Sequence, residues 1–147
     1  MKMSNRVRFD SEVSDNLLVA LKEAQAKSGY LSPALMTELA RSLDVPVNEV
    51  YGVASFYSFL SIKPLGRNVI RICRSVPCYL KENHAIIETV EREIGIKPGE
   101  TSSDSRFSFE LTNCIGLCDR APAMLVNSDF HVDLTPPKIL QILQSYK

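Results

Sequence analysis

The sequence predicts an α/β domain preceded by a small helical bundle. Three observations carry this. Before Lys63 the apolar residues recur at three- and four-residue steps, whereas after Gly66 they alternate along short runs. Between the two regimes lies the turn cluster Lys63-Pro64-Leu65-Gly66. Each of the two cysteine pairs then follows directly on a predicted strand.

Val13, Leu17, Leu18, Ala20, Leu21 and Ala24 form the stripe of a first helix over Val13–Ala26, with Gly29 as its stop. Ser32-Pro33 reads as an N-cap and a proline in the first turn, opening a second helix with Leu35, Met36, Leu39 and Leu43 inward. Asp44-Val45-Pro46 interrupts, and VNEVYGVASFYSFL predicts a third helix over Val47–Leu60. Its aromatic residues Phe56, Tyr57 and Phe59 are expected mainly in packing, with a partner surface as the alternative. The predicted division is 1–65 for the helical region and 66–147 for the α/β domain.

In the second region Val69, Ile70 and Ile72 predict a strand entering Cys73, and a helix follows over Asn83–Ile94. Lys97-Pro98-Gly99 breaks the chain, and Phe107, Phe109 and Leu111 predict a strand that delivers Cys114. Two short strands, Ala123–Val126 and Phe130–Val132, flank a turn at Asn127-Ser128-Asp129. Thr135 can cap a last helix expected over Pro136–Tyr146. The order βα then ββα is that of a thioredoxin-like α/β domain.

The chain has 147 residues, 45% hydrophobic and 23% charged, which suits a folded globular protein. Lys+Arg and Asp+Glu both number 17, so no net field recruits nucleic acid. The N-terminal stretch lacks the apolar segment of a signal peptide, and no run of apolar residues is long enough to span a bilayer, so a soluble, cytoplasmic protein without membrane insertion is expected. In a reducing compartment four cysteines point to metal or redox chemistry rather than structural disulfides.

Cys73, Cys78, Cys114 and Cys118 are spaced C-x4-C-x35-C-x3-C. Loops at the C-terminal ends of strands are where α/β sheets place their sites, and two such loops can meet at one point. Zinc hooks favour C-x2-C, because two intervening residues let the backbone wrap one small ion. The wider hooks suit a two-iron cluster, which asks for two ligands on each iron; zinc, or thiol and disulfide chemistry, stay open as alternatives. No histidine near the pairs supports a Rieske-type site, and neither the plant-type ferredoxin run nor a C-x-x-C motif is present.

RSVPC around the first pair and CIGLCDRAPAM around the second resemble the thioredoxin-like 2Fe-2S subunit of respiratory complex I. They are equally similar to the small subunits of NAD-linked soluble hydrogenases, including electron-bifurcating ones, and of NAD-dependent formate dehydrogenases. SGYLSPALMTELARSLDVPVNEVYGVASFYSFL, followed by PLG and VIRIC, resembles that family's helical region entering its first strand. The resemblance implies a thioredoxin-like 2Fe-2S ferredoxin domain in which Cys73, Cys78, Cys114 and Cys118 ligate one 2Fe-2S cluster. Where many members have a glycine shortly after the second cysteine, this chain reads Cys78-Tyr79-Leu80-Lys81-Glu82-Asn83.

Around such a cluster Arg71, Arg74 and Arg120 could offset part of its negative charge, or be ordinary solvated arginines. Gly116 could let its amide approach a sulfide, or simply make a turn. Pro77 and Pro122 stiffen the two loops. His84 and His131 are expected at the surface or capped, and no pair of carboxylates suggests acid/base catalysis.

A 2Fe-2S centre moves one electron and NADH delivers a hydride, and the chain has no dinucleotide fingerprint or phosphate loop among its six glycines. It is therefore expected to be no enzyme alone. The resemblance implies that FMN and NAD(P)H sit on a partner subunit, with a further iron-sulfur subunit, or a hydrogenase or formate dehydrogenase catalytic chain, beyond it. The relay, side-store and bifurcation-branch roles are not ranked by the residues. The closeness of the chain ends to the outer helices leans toward a soluble parent complex over the membrane-bound respiratory one.

Overall fold

Helix α1, Leu17–Ser28, starts where the Asn16 side chain accepts hydrogen bonds from the Leu18 and Val19 amides, satisfying two donors that the first turn leaves free. The structure, a computed structural model, describes residues 16–146, so the expected helical residues Val13 to Asp15 lie outside the described part. Gly29 ends α1 with φ of 83° and returns its amide to the Gln25 carbonyl at 2.7 Å. In α2, Pro33–Ser42, the Ser32 hydroxyl caps the Leu35 amide at 3.2 Å. Helix α3 is Val47–Phe56. Leu21, Leu31, Leu39 and Val50 are fully enclosed at the centre of these three helices.

Helix α3 ends a turn earlier than its sequence predicts. Tyr57 turns extended, with φ −86° and ψ 120°. The side-chain amide of Gln25, from α1, then takes the chain: its Nε2 donates to the Phe59 carbonyl at 2.8 Å, and its Oε1 accepts from the Ser61 amide at 2.6 Å. The aromatic expectation changes with it. Tyr57 is half-buried against the helical core, but Phe59 is exposed and Phe56 is 80% exposed. The inward face of α3 carries Val50 and Ala54, and Phe56, two residues past Ala54, is rotated about 200° from it.

The chain divides into two compact units, Met1–Pro64 and Leu65–Lys147. The second is built on a five-stranded sheet. Its strands are β1 (Asn68–Cys73), β2 (Glu100–Thr101), β3 (Phe107–Thr112), β4 (Met124–Val126) and β5 (Asp129–His131), in the order β2-β3-β1-β4-β5. Strands β1 and β3 are parallel, with Ile70 opposite Phe109 and Cys73 opposite Thr112; the other pairings are antiparallel. Helix α4 is Val76–Leu80, α5 is Asn83–Ile94 and α6 is Pro136–Ser145. Helices α5 and α6 touch each other and share a core with the sheet, where Ile86, Val90, Ile139 and Leu143 meet Ile70, Ile72, Phe109, Met124 and Val126.

Gly66 makes the tight entry to this unit possible. A Cβ there would lie 2.8 Å from the Phe107 carbonyl carbon and 3.0 Å from the Phe107 nitrogen, and the Gly66 amide donates to the Ser108 hydroxyl at 2.7 Å. Two elements are absent from the sequence expectation. The five-residue α4 sits where a plain loop is expected, and β2 is only two residues long. No helix among the described residues is long and apolar enough to cross a membrane.

Candidate metal centre

Because β1 and β3 run parallel side by side, both leave the sheet at the same end. Cys73 is the last residue of β1, and Cys114 comes two residues after β3 ends. Cys78 follows on α4 with Pro77 in its first turn, and Cys118 opens a short 3-10 turn, Cys118–Arg120. The four sulfurs form one patch of free thiols. Cys114 Sγ lies 3.2 Å from Cys118 Sγ, and the Cys73 thiol acts on those of Cys78, Cys114 and Cys118.

The two pairs differ in environment. Cys73 is 1% exposed and Cys78 2%, whereas Cys114 and Cys118 are exposed. Burial, with a smaller contribution from Cys73, pushes the Cys78 thiol up to about 11, against the downward pull of a backbone hydrogen bond at Ala123. The Gly116 amide donates to Cys114 Sγ at 3.4 Å, and this bond is the main reason the Cys114 thiol lies below its ordinary value. The Cys118 thiol is raised, first because it hydrogen-bonds to Cys114.

Gly116 holds φ at +83°, and beyond its two chain neighbours no atom lies within 4 Å of where its Cβ would be. The glycine is thus required by the left-handed backbone that aims its amide at sulfur. Pro122 follows a cis peptide bond, and its carbonyl accepts from the Leu134 amide at 3.2 Å. The next carbonyl, of Ala123, accepts from the Cys73 amide at 3.3 Å, so the loop after Cys118 is tied back to β1.

The three arginines fare differently. Arg74 is exposed, and its amide donates to the Thr112 carbonyl at 2.9 Å, clamping the two cysteine-bearing strands where they end. Arg120 is committed to Asp133, with Nε at 2.9 Å and a terminal nitrogen at 2.6 Å from the same oxygen. Arg71 lies 3.0 Å from Glu110, its cross-strand partner, in a close ion pair whose angle is not that of a hydrogen bond. The charges of Arg71 and Arg120 are therefore largely spoken for.

One residue that sequence reasoning does not single out is Asn83. It is 3% exposed, and its Nδ2 donates to the Cys73 carbonyl at 2.8 Å. This bond ties the start of α5 to the end of β1 and closes the loop that carries Cys78. The available signal was a polar side chain at the head of an amphipathic helix, directly after a cysteine loop. The His131 ring lies 3.2 Å from the Tyr146 hydroxyl, which also donates to Asp129 at 2.6 Å.

Four soft sulfur donors with no nitrogen among them suit iron-sulfur or zinc chemistry. Among the described residues, no three His, Cys, Asp or Glu side chains are placed to hold one metal ion. The sulfurs stand as a buried pair and an exposed pair.

Residues 3–147 match the family described as thioredoxin-like 2Fe-2S ferredoxin. The chain belongs to that family. Members carry a 2Fe-2S cluster, and this is the cofactor of the ferredoxin domain here. The ferredoxin is 40% identical over 128 residues to a subunit of the NADH-quinone oxidoreductase of Escherichia coli (strain K12), covering 87% of this chain and 77% of the relative. It is 37% identical over 145 residues to the corresponding subunit from Buchnera aphidicola, covering 99% and 90%. A solved NAD+-reducing NiFe-hydrogenase in its air-oxidized state superposes with a TM-score of 0.78 at 26% identity, over 95% of this chain and 24% of the hydrogenase chain. The ferredoxin thus spans about a quarter of the length of that chain. The chain is thus a family member whose relatives are subunits of NADH-quinone oxidoreductases and whose solved neighbour is an NAD+-reducing hydrogenase.

Proposed function

We propose that Cys73, Cys78, Cys114 and Cys118 ligate the single 2Fe-2S cluster, and that the subunit exchanges single electrons with the flavin of a partner NAD(P)H-binding subunit. The observation that carries this is the gathering of four free thiols, from two loops far apart in sequence, at one end of the sheet. When bound, the cluster supplies a site that accepts and returns one electron, whereas a hydride carries two.

The chain's own part is to hold the sulfurs still. The parallel register of β1 and β3 fixes the spacing of the two loops, the Arg74 amide ties their strand ends together, and Asn83 closes the loop that carries Cys78. The Gly116 amide, aimed at Cys114 Sγ, favours the thiolate form over the thiol. The exposed pair faces the side from which a partner can approach, and the buried pair keeps water away from the other half of the site.

The 40% identity to the Escherichia coli relative supports an NADH-quinone parent complex, and likeness to the NAD+-reducing hydrogenase supports a hydrogenase one. The step proposed here serves either parent. The test is anaerobic purification of the chain with the proteins that accompany it. About two irons and two sulfides per chain, with a paramagnetic signal on reduction by NADH, are expected. Changing Cys114→Ser removes or distorts that signal while the helical unit keeps its circular dichroism. Unchanged iron and sulfide content in that variant refutes the ligand assignment, and the copurifying partners identify the parent complex.

A further inference from the structure

We propose that, before the cluster is inserted, Cys114 and Cys118 form a modification site for low-molecular-weight disulfides, closing an intrachain bond that bars cluster insertion until it is reduced. This rests on the ligand assignment proposed above. The argument comes from the contrast between the two pairs. A soluble oxidant reaches a thiol only at the surface, and Cys73 and Cys78 are 1% and 2% exposed. Cys114 and Cys118 are exposed and their sulfurs are 3.2 Å apart, so a resolving thiol stands beside whichever of them reacts first. Closing that gap to the roughly 2.05 Å of a disulfide needs about 1.2 Å of movement. Between the two cysteines Gly116 takes a left-handed turn, and beyond its chain neighbours no atom lies within 4 Å of the position of its absent side chain.

The chemistry balances within the named reactants. The thiolate of Cys114 attacks one sulfur of a disulfide such as glutathione disulfide, and the first glutathione leaves as its thiol. Cys118 then attacks the Cys114 sulfur, and the second glutathione leaves. The protein gives up two electrons and two protons, and the two departing thiols take them. With both exposed sulfurs bonded to each other, two of the four ligands are withdrawn and iron has only the buried pair.

The test uses the full chain, stripped of iron with a chelator and incubated anaerobically with glutathione disulfide. The expected result is a mass lower by about 2 Da, peptides cross-linked between Cys114 and Cys118, and loss of iron uptake from ferrous iron and sulfide, restored by a thiol reductant. The full-length Cys118→Ser chain should instead retain one glutathione on Cys114. If that variant does not fold, peptide mapping of the unaltered chain decides. A bond from Cys73 to Cys78 or to Cys114, a lasting glutathione adduct on the unaltered chain, or iron uptake as fast after oxidation as before overturns the proposal. A reduced chain that takes up no iron instead refutes the ligand assignment, and the mapped disulfide is read independently of it.

Discussion

Replacing Asn83 by alanine should loosen the cysteine site from behind, without touching a sulfur. Its Nδ2 makes a 2.8 Å bond to the Cys73 carbonyl, and the two residues are 3% and 1% exposed, so water cannot replace the lost donor in the folded chain. A hydrogen bond of this kind contributes about 1 kcal/mol net, and an acceptor left buried and unpaired costs about 1–3 kcal/mol. We therefore expect Asn83→Ala to destabilise the ferredoxin by about 2 kcal/mol, roughly a thirtyfold shift in the unfolding equilibrium. In urea, where small proteins lose about 1–3 kcal/mol per molar, the midpoint should fall by about 1 M. Asn83→Asp should be worse, because an ionised carboxylate has no proton to donate and turns a second negative group toward the carbonyl. Iron retention after gel filtration should drop in the same order. A change below about 0.5 kcal/mol for the alanine variant, or an aspartate variant more stable than the alanine one, would refute the reasoning.

Gly66→Ala places a methyl carbon 2.8 Å from the Phe107 backbone, which cannot rotate away as a side chain could, so a loss of about 2 kcal/mol or more in thermal or urea unfolding is expected. Phe56→Ser should stay within about 0.5 kcal/mol of the parent despite removing an aromatic ring that is 80% exposed, whereas Val50→Ala, on the inward face of the same helix, should cost about 2 kcal/mol. Burial holds the His131 imidazole below its ordinary 6.5, with Lys138 acting the same way and Asp129 opposing, so the folded chain prefers the neutral ring. That contribution is whole above pH 6.5 and lost as the pH falls below it; the acid-side decline in melting temperature should shrink in His131→Gln. Tyr146 runs the other way: burial, then its bond to Asp129, raises it from 10.0 to about 12, so its contribution is whole below pH 10 and lost above it, a decline that Tyr146→Phe should remove.

The positions of the cysteines were legible because they depend on strands, and the strands on simple alternation. Ile70 and Ile72, and Phe107 and Phe109, point into one core as their spacing implies. Once these strands are parallel neighbours, Cys73 and Cys114 must exit together. What escaped the sequence was set by short elements or distant partners. Helix α4 has five residues, too few for a period of 3.6 to register, and only Ser75 and Pro77 hint at its start. The end of α3 is decided by Gln25, which captures Phe59 and Ser61 from more than thirty residues away, and local propensity does not contain that information. Asn83 belongs to the same class, since its partner is a carbonyl at the end of a strand already passed.

The pairing of Cys73 with Thr112 across β1 and β3 has an implication for biogenesis. Side chains on a strand alternate between faces, so a slip of one residue would turn Cys73 toward the hydrophobic interior and strand its sulfur away from the other three. The two hooks leave different strands, so the register of β1 on β3 sets how their sulfurs meet. A complete cysteine site therefore depends on a correctly zipped sheet, and a misregistered one would be recognisable as a folded protein that never colours.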